Sequence, residues 1–269
     1  MAEQTNAIAL RNLSEFKKMM NTDSIKNKFL EVLKDKAPGF ISNVTSIVHN
    51  NSSLSKCDPM SIITSAMIAA SLNLNLDQNL GFCAIIPFKG KAQFQIMVKG
   101  FVQLAIRSGQ YKNIHVTDVY EDELEEYDEI TGKLQFTTLE SRMQRKNKEV
   151  KNIIGYYARI EMLNGFIKES FMYNDDIVYH AKKYSPSYPY STSLWKTDFS
   201  SMAKKTVLKL LLKSYGLLSI DMQTAVINDQ GTPQDINNMK DIDYGKDDIQ
   251  VIATEESPLE LEGDSDDPN

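Results

Sequence analysis

The segment "MSIITSAMIAASLNL", residues 60–74, carries no charged side chain and is almost wholly apolar or small. A helix that is hydrophobic all round has no face to give to water, so this one is expected to be buried. It follows Asp58-Pro59, which reads as an N-cap and a proline at the first helical position. From Gly81 the period changes to two. "GFCAIIPF" and "KAQFQIMV" alternate as strands do, with Lys89-Gly90 as the turn between them.

The remaining elements follow from the same two periods. The first 55 residues read as helices. In "NTDSIKNKFLEVLKDKAPGF", Ile25, Phe29, Val32 and Leu33 have helical spacing behind Thr22 or Asp23 as N-cap. "KGFVQLAIRSG" reads as a helix ended by Gly109. "NIHVTDVYE" and "KLQFTT" are strand-like, and "NIIGYYARIEML" and "FIKESFMY" form a hairpin through Asn164-Gly165. "NDDIVYHAKKYS" reads as a short helix capped by Asn174. The loop "SPSYPYSTSLW" then leads to a last helix, "DFSSMAKKTVLKLLLKSYGLL". The expectation is an α+β fold, an antiparallel sheet flanked by helices, over residues 1–220, with a helical part at 1–55. From Asp221 the periodicity fades. Residues 221–269 read as an acidic, largely disordered tail in which "IQVIAT" and "PLELE" are candidate docking segments.

Charge divides the chain at the same place. The net charge of −6 averages a tail with 14 acids and two bases, which is −12, and a body that must then be +6. Between Gln78 and Thr117 there is no Asp or Glu at all, while Lys89, Lys91, Lys99, Arg107 and Lys112 fall in that interval. Such asymmetry points to a polyanionic partner for the body; the plainer reading is an ordinary domain with a solubilising tail.

Several elements offer one-sided, acid-free faces. Alternation in "KAQFQIMV" puts Ala92, Phe94, Ile96 and Val98 toward a core, and Lys91, Gln93 and Gln95 away from it. Lys99, Gln103 and Arg107 share a helix face at i, i+4, i+8, and so do Lys205, Lys209 and Lys213, with Lys204 beside them. Tyr157 and Arg159 alternate onto one face of a strand. Lys and Arg can neutralise phosphates, Gln can bond backbone or bases without sequence commitment, and aromatic rings can stack on unpaired bases. Trp195 and Lys196 join the candidate DNA contacts from the Tyr184–Trp195 loop, although a lone tryptophan is more often a packing anchor, and Phe94 and Tyr156 read better as core.

Catalytic signals are weak. No GxxxxGK followed by Ser or Thr is present, and His49, His115 and His180 lie in no metal-binding spacing. "YEDELEEYDE" reads as a solvated hairpin edge, and Lys168-Glu169 near Asp175 and Asp176 is a faint echo of a nuclease cluster. Cys57 and Cys83 are too few and too far apart for a disulfide framework, no span resembles a membrane helix, and no signal peptide is visible. No cofactor is expected.

Two separated stretches are more specific. "AASLNLNLDQNLGFCAIIPFKGKAQFQIMVKGFVQLAIRSGQYKNIHVTDVYEDE" and "SLWKTDFSSMAKKTVLKLLLK" resemble the RecT family of phage single-strand annealing proteins. Pro87, Lys89, Gln95, Lys99, Gly100, Arg107 and Gly109 match the first motif; Trp195, Asp198, Met202, Lys204, Lys205 and Thr206 match the second. The resemblance implies a phage or prophage recombination protein of the bacterial cytoplasm, similar in mechanism to the Redβ proteins. Such a protein binds single-stranded DNA without ATP and passes through an annealed duplex intermediate. It forms rings or helical filaments, and works beside an exonuclease or a host single-strand-binding protein, for which the tail is the candidate contact. The expected site is a basic groove of Lys91, Gln93, Gln95, Lys99 and Arg107 with Tyr157, Arg159 and the last helix. A metal-dependent single-strand nuclease and a structural oligomer with basic subunit contacts are the alternatives.

Overall fold

The computed structural model describes residues 2–142, 152–185, 187–216, 219–229, 232–235 and 238–243. Helices α1 (Ala2–Met20), α2 (Asp23–Leu33) and α3 (Ala37–Asn50) precede α4 (Pro59–Ser71), the apolar helix, in which every residue except Met60 and Ser71 is buried. Asp58 caps it, its carboxylate accepting the Ser61 amide at 2.8 Å. Helix α2 buries Ile25, Phe29 and Leu33, but Val32 faces solvent. Thr22 occupies the α2 N-cap position without capping it; its hydroxyl donates back to the Met19 carbonyl at 2.7 Å.

Strands β1 (Cys83–Phe88) and β2 (Lys91–Ile96) form an antiparallel pair in which Phe88 faces Lys91 and Cys83 faces Ile96. Lys89 and Gly90 have φ values of 47° and 81°, the left-handed pair that a two-residue hairpin turn needs. The alternation of an antiparallel ladder then makes Pro87–Ala92 a non-hydrogen-bonded pair, so the N–H that Pro87 lacks is not missed. The outward groups of Ala92 are taken by α4: its amide donates to Ser61 Oγ at 2.8 Å and its carbonyl accepts from Ser65 Oγ at 3.1 Å. That is why an otherwise apolar helix carries serines one turn apart.

Helix α5 (Val98–Ser108) follows, closed by Gly109 at φ 66°. Strand β3 (Tyr111–Tyr120), hairpin β4 (Leu124–Asp128) and β5 (Lys133–Phe136), short helix α6 (Leu139–Arg142), and strands β6 (Ile153–Met162) and β7 (Ile167–Tyr173) come next. The main sheet is antiparallel in the order β3-β6-β7. Of "YEDELEEYDE", only the part from Leu124 lies on the β4–β5 hairpin, whose Tyr127 and Phe136 fold onto Phe171 and Tyr157 of the sheet; Glu123 before it is buried, accepting the Tyr120 amide at 3.0 Å, rather than solvated. The opposite sheet face receives α9 (Phe199–Tyr215), which follows α7 (Asn174–Tyr184) and the single turn α8 (Leu194–Thr197). Asn174 is the first residue of α7 rather than its cap; its side-chain amide donates to the Ile153 carbonyl at 2.6 Å. Cys57 and Cys83 are both free and buried, which pushes their thiols up to about 11 and about 12.

Secondary structure continues past Asp221, into the first part of the stretch 221–269. Helix α10 (Ile220–Asn228) packs on α5 and β2, and the hairpin β8 (Thr232–Asp235) and β9 (Asn238–Asp243) brings β8 against α4 and β2. "IQVIAT" and "PLELE" lie outside the described residues.

Gly100 sits where α5 crosses the β1 entry. A Cβ there would lie 2.1 Å from the Phe82 carbonyl oxygen and 2.9 Å from Ile96 Cγ1. Gly100→Ala is therefore expected to lower the unfolding free energy by about 1–3 kcal/mol, as overpacking does. A denaturant melt checks this, and an unchanged midpoint would refute the close approach.

Candidate nucleic-acid interface

The acid-free interval folds as the β1–β2 hairpin, α5 and most of β3. Lys89 and Lys91 are exposed at its tip, with the Lys89 ammonium 5.2 Å from the Phe88 ring centroid. Lys99 is exposed at the start of α5, its stem 3.6 Å from where a Cβ on Gly81 would stand. Among the described residues, neither Lys89 nor Lys99 forms an ion pair with a carboxylate. Gln103 is half-buried on the same helix.

Other members of the expected groove lie elsewhere. Gln93 and Gln95 are buried at 8% and 1% exposure, not presented on an open face, because α4, α10 and β8 all pack against β2. Arg107 is exposed but engaged: its guanidinium donates to the carbonyls of Leu72 at 2.8 Å and Asn73 at 3.5 Å, just past the end of α4. It thereby satisfies carbonyls that a helix C-terminus leaves without partners and sits at the negative end of the dipole.

Tyr157 and Arg159 do share a face of β6, but Tyr156 on the other face is the one that meets Phe199 of α9. The sheet thus separates Tyr157 and Arg159 from the lysines of α9. Their own face is charge-compensated. The Tyr157 hydroxyl hydrogen-bonds Glu169, and burial together with that carboxylate pushes the phenol pKa up. Arg159 meets Glu161 at 2.9 Å and Glu169 at 3.6 Å. Lys112 meets Glu161 at 2.6 Å, and this hydrogen bond is the first reason that the Glu161 carboxyl stays below its usual range.

The α9 stripe is divided too. Lys204 pairs with Asp118 at 2.9 Å, and Lys205 is half-buried. Lys209 is buried at 3% exposure. Its ammonium donates to the Ile96 carbonyl at 2.8 Å and lies 3.8 Å from Asp229. Lys213, one turn on, lies 3.5 Å from the same carboxylate, and Asp229 Oδ1 accepts the Ile96 amide at 3.2 Å. Trp195 is a core anchor, 2% exposed, its indole N–H donating to Ser185 Oγ at 3.0 Å, while Lys196 lies exposed over the Tyr188 ring at 4.1 Å.

The family model of the RecT family matches residues 38–243. The chain belongs to the RecT family. It is 37% identical over 255 residues to YqaK of Bacillus subtilis (strain 168), covering 95% of this chain and 84% of that protein. It is 27% identical over 242 residues to Protein RecT of Escherichia coli (strain K12), covering 85% of each. The family match ends where β9 ends, so α10 and the last hairpin fall within it.

In this RecT family chain, most motif residues build the scaffold. Pro87 fits a non-hydrogen-bonded site, Gly100 allows a close approach, Gly109 ends α5, and Arg107 clamps α4. Asp198 caps α9 by accepting the Ser201 amide at 3.2 Å, and Met202 and Thr206 are buried. Lys89 and Lys99 are exposed motif lysines that meet no carboxylate among the described residues. Lys168 and Glu169, the nuclease echo, point to opposite sheet faces, the first over the Tyr215 ring and the second to Tyr157. Among the described residues no three His, Cys, Asp or Glu side chains are grouped to hold a metal ion. The residue that sequence reading missed is Asp229. A lone Asp in an acidic stretch gives no local sign that it is buried.

Arg107→Ala should lower stability by about 1–2 kcal/mol through the lost charged hydrogen bonds, yet leave the salt dependence of oligonucleotide binding unchanged. Denaturant melts beside binding isotherms at several salt concentrations decide this; a flatter salt slope would restore Arg107 to the phosphate contacts. His180 gives a pH prediction. It is buried with neither ring nitrogen hydrogen-bonded, and burial, then Lys183 and Lys209, hold its pKa down to about 4 from 6.5. Its folded pKa is below its unfolded one, so its contribution is intact above pH 6.5 and is lost as pH falls through about 4. His180→Phe should flatten the fall in melting temperature over that window, and a parallel fall in both proteins would count against it.

Proposed function

We propose that this chain binds single-stranded DNA and anneals complementary strands without ATP, in homologous recombination driven by a phage or prophage. Membership of the RecT family carries the annealing and recombination role. The observation that supports the DNA-facing surface is the contrast in charge compensation. Lys112, Arg159, Lys204, Lys209 and Lys213 all meet carboxylates, whereas Lys89 and Lys99 on the acid-free hairpin and helix meet none among the described residues. Uncompensated ammonium groups on an exposed turn and a helix start attract phosphates of any sequence. Annealing needs that indifference, because base pairing supplies the specificity and the base edges must stay open to a second strand.

Subunit contacts belong to the same reading. Leu163, Phe166 and Ile167 are exposed together at the tip of the β6–β7 hairpin, at 67%, 42% and 47%. Exposed apolar clusters of this kind suit head-to-tail contacts, which close into rings or propagate as filaments. An exonuclease or a host single-strand-binding protein is the partner proposed for the tail.

The test is annealing of two labelled complementary oligonucleotides with EDTA present and ATP absent, across a salt series. Acceleration that fades with salt is expected. In the double variant Lys89→Gln, Lys99→Gln, the slope of log affinity against log salt should fall by about 1.4, roughly 0.7 per phosphate contact on a single strand. A folded variant with unchanged slope would refute the proposed surface. Substrate loss that requires magnesium would favour a nuclease instead.

A further inference from the structure

We propose that Lys209, Lys213 and the Ile96 amide form a second phosphate-binding site, which the Asp229 carboxylate occupies when DNA is absent. The proposal rests on the DNA-binding reading above and adds a gated site to it.

The three donors converge as an anion site does: two ammonium groups one helical turn apart and a backbone N–H at the end of a strand. Asp229 fills that site incompletely. Its Oδ1 accepts the Ile96 amide at 3.2 Å. Its Oδ2 is buried, lies 3.8 Å from the Lys209 ammonium and 3.5 Å from that of Lys213, and has no hydrogen-bond partner. The charge is compensated but the oxygen is not bonded, and such a buried oxygen is costly. Two lysines also face one carboxylate. A phosphodiester strand carries more oxygens than a carboxylate, and successive phosphates could engage both lysines.

Asp229 directly follows the last residue of α10. Among the described side chains of α10, Ala225 is buried, Val226 packs partly buried against the core and Ile227 is 51% exposed. At its end, Asn228 Oδ1 is a second buried oxygen without a partner. An underbonded polar latch marks a segment that can open before the rest of the fold. When it opens, it uncovers the Gln93 and Gln95 side of β2, against which α10 packs. Asp229 thus competes with phosphate at one defined position, without a role for the tail's bulk charge.

The experiment uses the full chain, its Asp229→Asn and Asp229→Ser variants, and a labelled oligothymidylate over a salt series. The expected result is tighter binding at low salt and a slope steeper by about 0.7–1.4, for one or two added phosphate contacts. Hydrogen exchange on the wild type provides the arm that needs no substitution: α10 amides should lose protection when saturating oligothymidylate is added. Variants that bind while the wild type does not would also support the gate. If the wild type binds, but the variant slopes equal its own and α10 keeps its protection, the gate is wrong and the DNA-binding reading stands. If neither wild type nor variants bind, both fall.

Discussion

Taking an ammonium group out of water costs on the order of several kcal/mol unless its partners follow it inside. Lys209 is such a group, and its partners come from far along the chain: the Ile96 carbonyl, 113 residues earlier, and the Asp229 carboxylate. The amide of the same Ile96 returns to Asp229, 133 residues later. One buried charge thereby pins together the middle of α9, the junction of β2 with α5, and the end of α10. The main sheet reaches this node through α9, and the basic hairpin reaches it through β2. Lys209 therefore couples the scaffold to the acid-free hairpin, a role that an exposed lysine could not fill.

The same node answers a problem that a two-stranded sheet creates. β2 has a free edge, and its outward amides and carbonyls need partners. The structure supplies side chains instead of a third strand: Ser61 and Ser65 at Ala92, and Asp229 and Lys209 at Ile96. The hairpin is thus fastened at both ends of β2, while its tip, with Lys89 and Lys91, stays in solvent. Gly100 makes the fit possible by letting α5 start against the Phe82 carbonyl.

Legibility in the sequence followed the range of the interaction. The buried α4, the Lys89-Gly90 turn, the Gly109 stop and the Asn164-Gly165 hairpin rest on contacts within a few residues, and the periodicity of "MSIITSAMIAASLNL" or "KAQFQIMV" shows them. The fates of Gln93, Gln95, Arg107 and Lys209 do not. Alternation does turn Gln93 and Gln95 away from Phe94, but it cannot say that a segment beyond residue 219 will cover them. Helical spacing puts Lys205, Lys209 and Lys213 on one stripe, yet only tertiary partners decide that one of them is buried. Alternation puts Tyr157 and Arg159 on one face of their strand; that α9 takes the opposite face is a matter of topology, which single-strand alternation does not contain.

Charge compensation carries the functional argument further than charge count does. The body of the chain is basic, but Lys112, Arg159, Lys204, Lys209 and Lys213 are neutralised in place by Glu161, Glu169, Asp118 and Asp229. Those pairs hold the structure and attract nothing at a distance. The absence of acids between Gln78 and Thr117 matters because the hairpin and the start of α5 have no carboxylate of their own. Lys89 and Lys99 keep a field that reaches solvent over about a Debye length, some 8–10 Å at ordinary salt. On the proposed reading, a surface that draws phosphate without reading bases serves the pairing of two strands. The strand must be held by its backbone and left free along its edges.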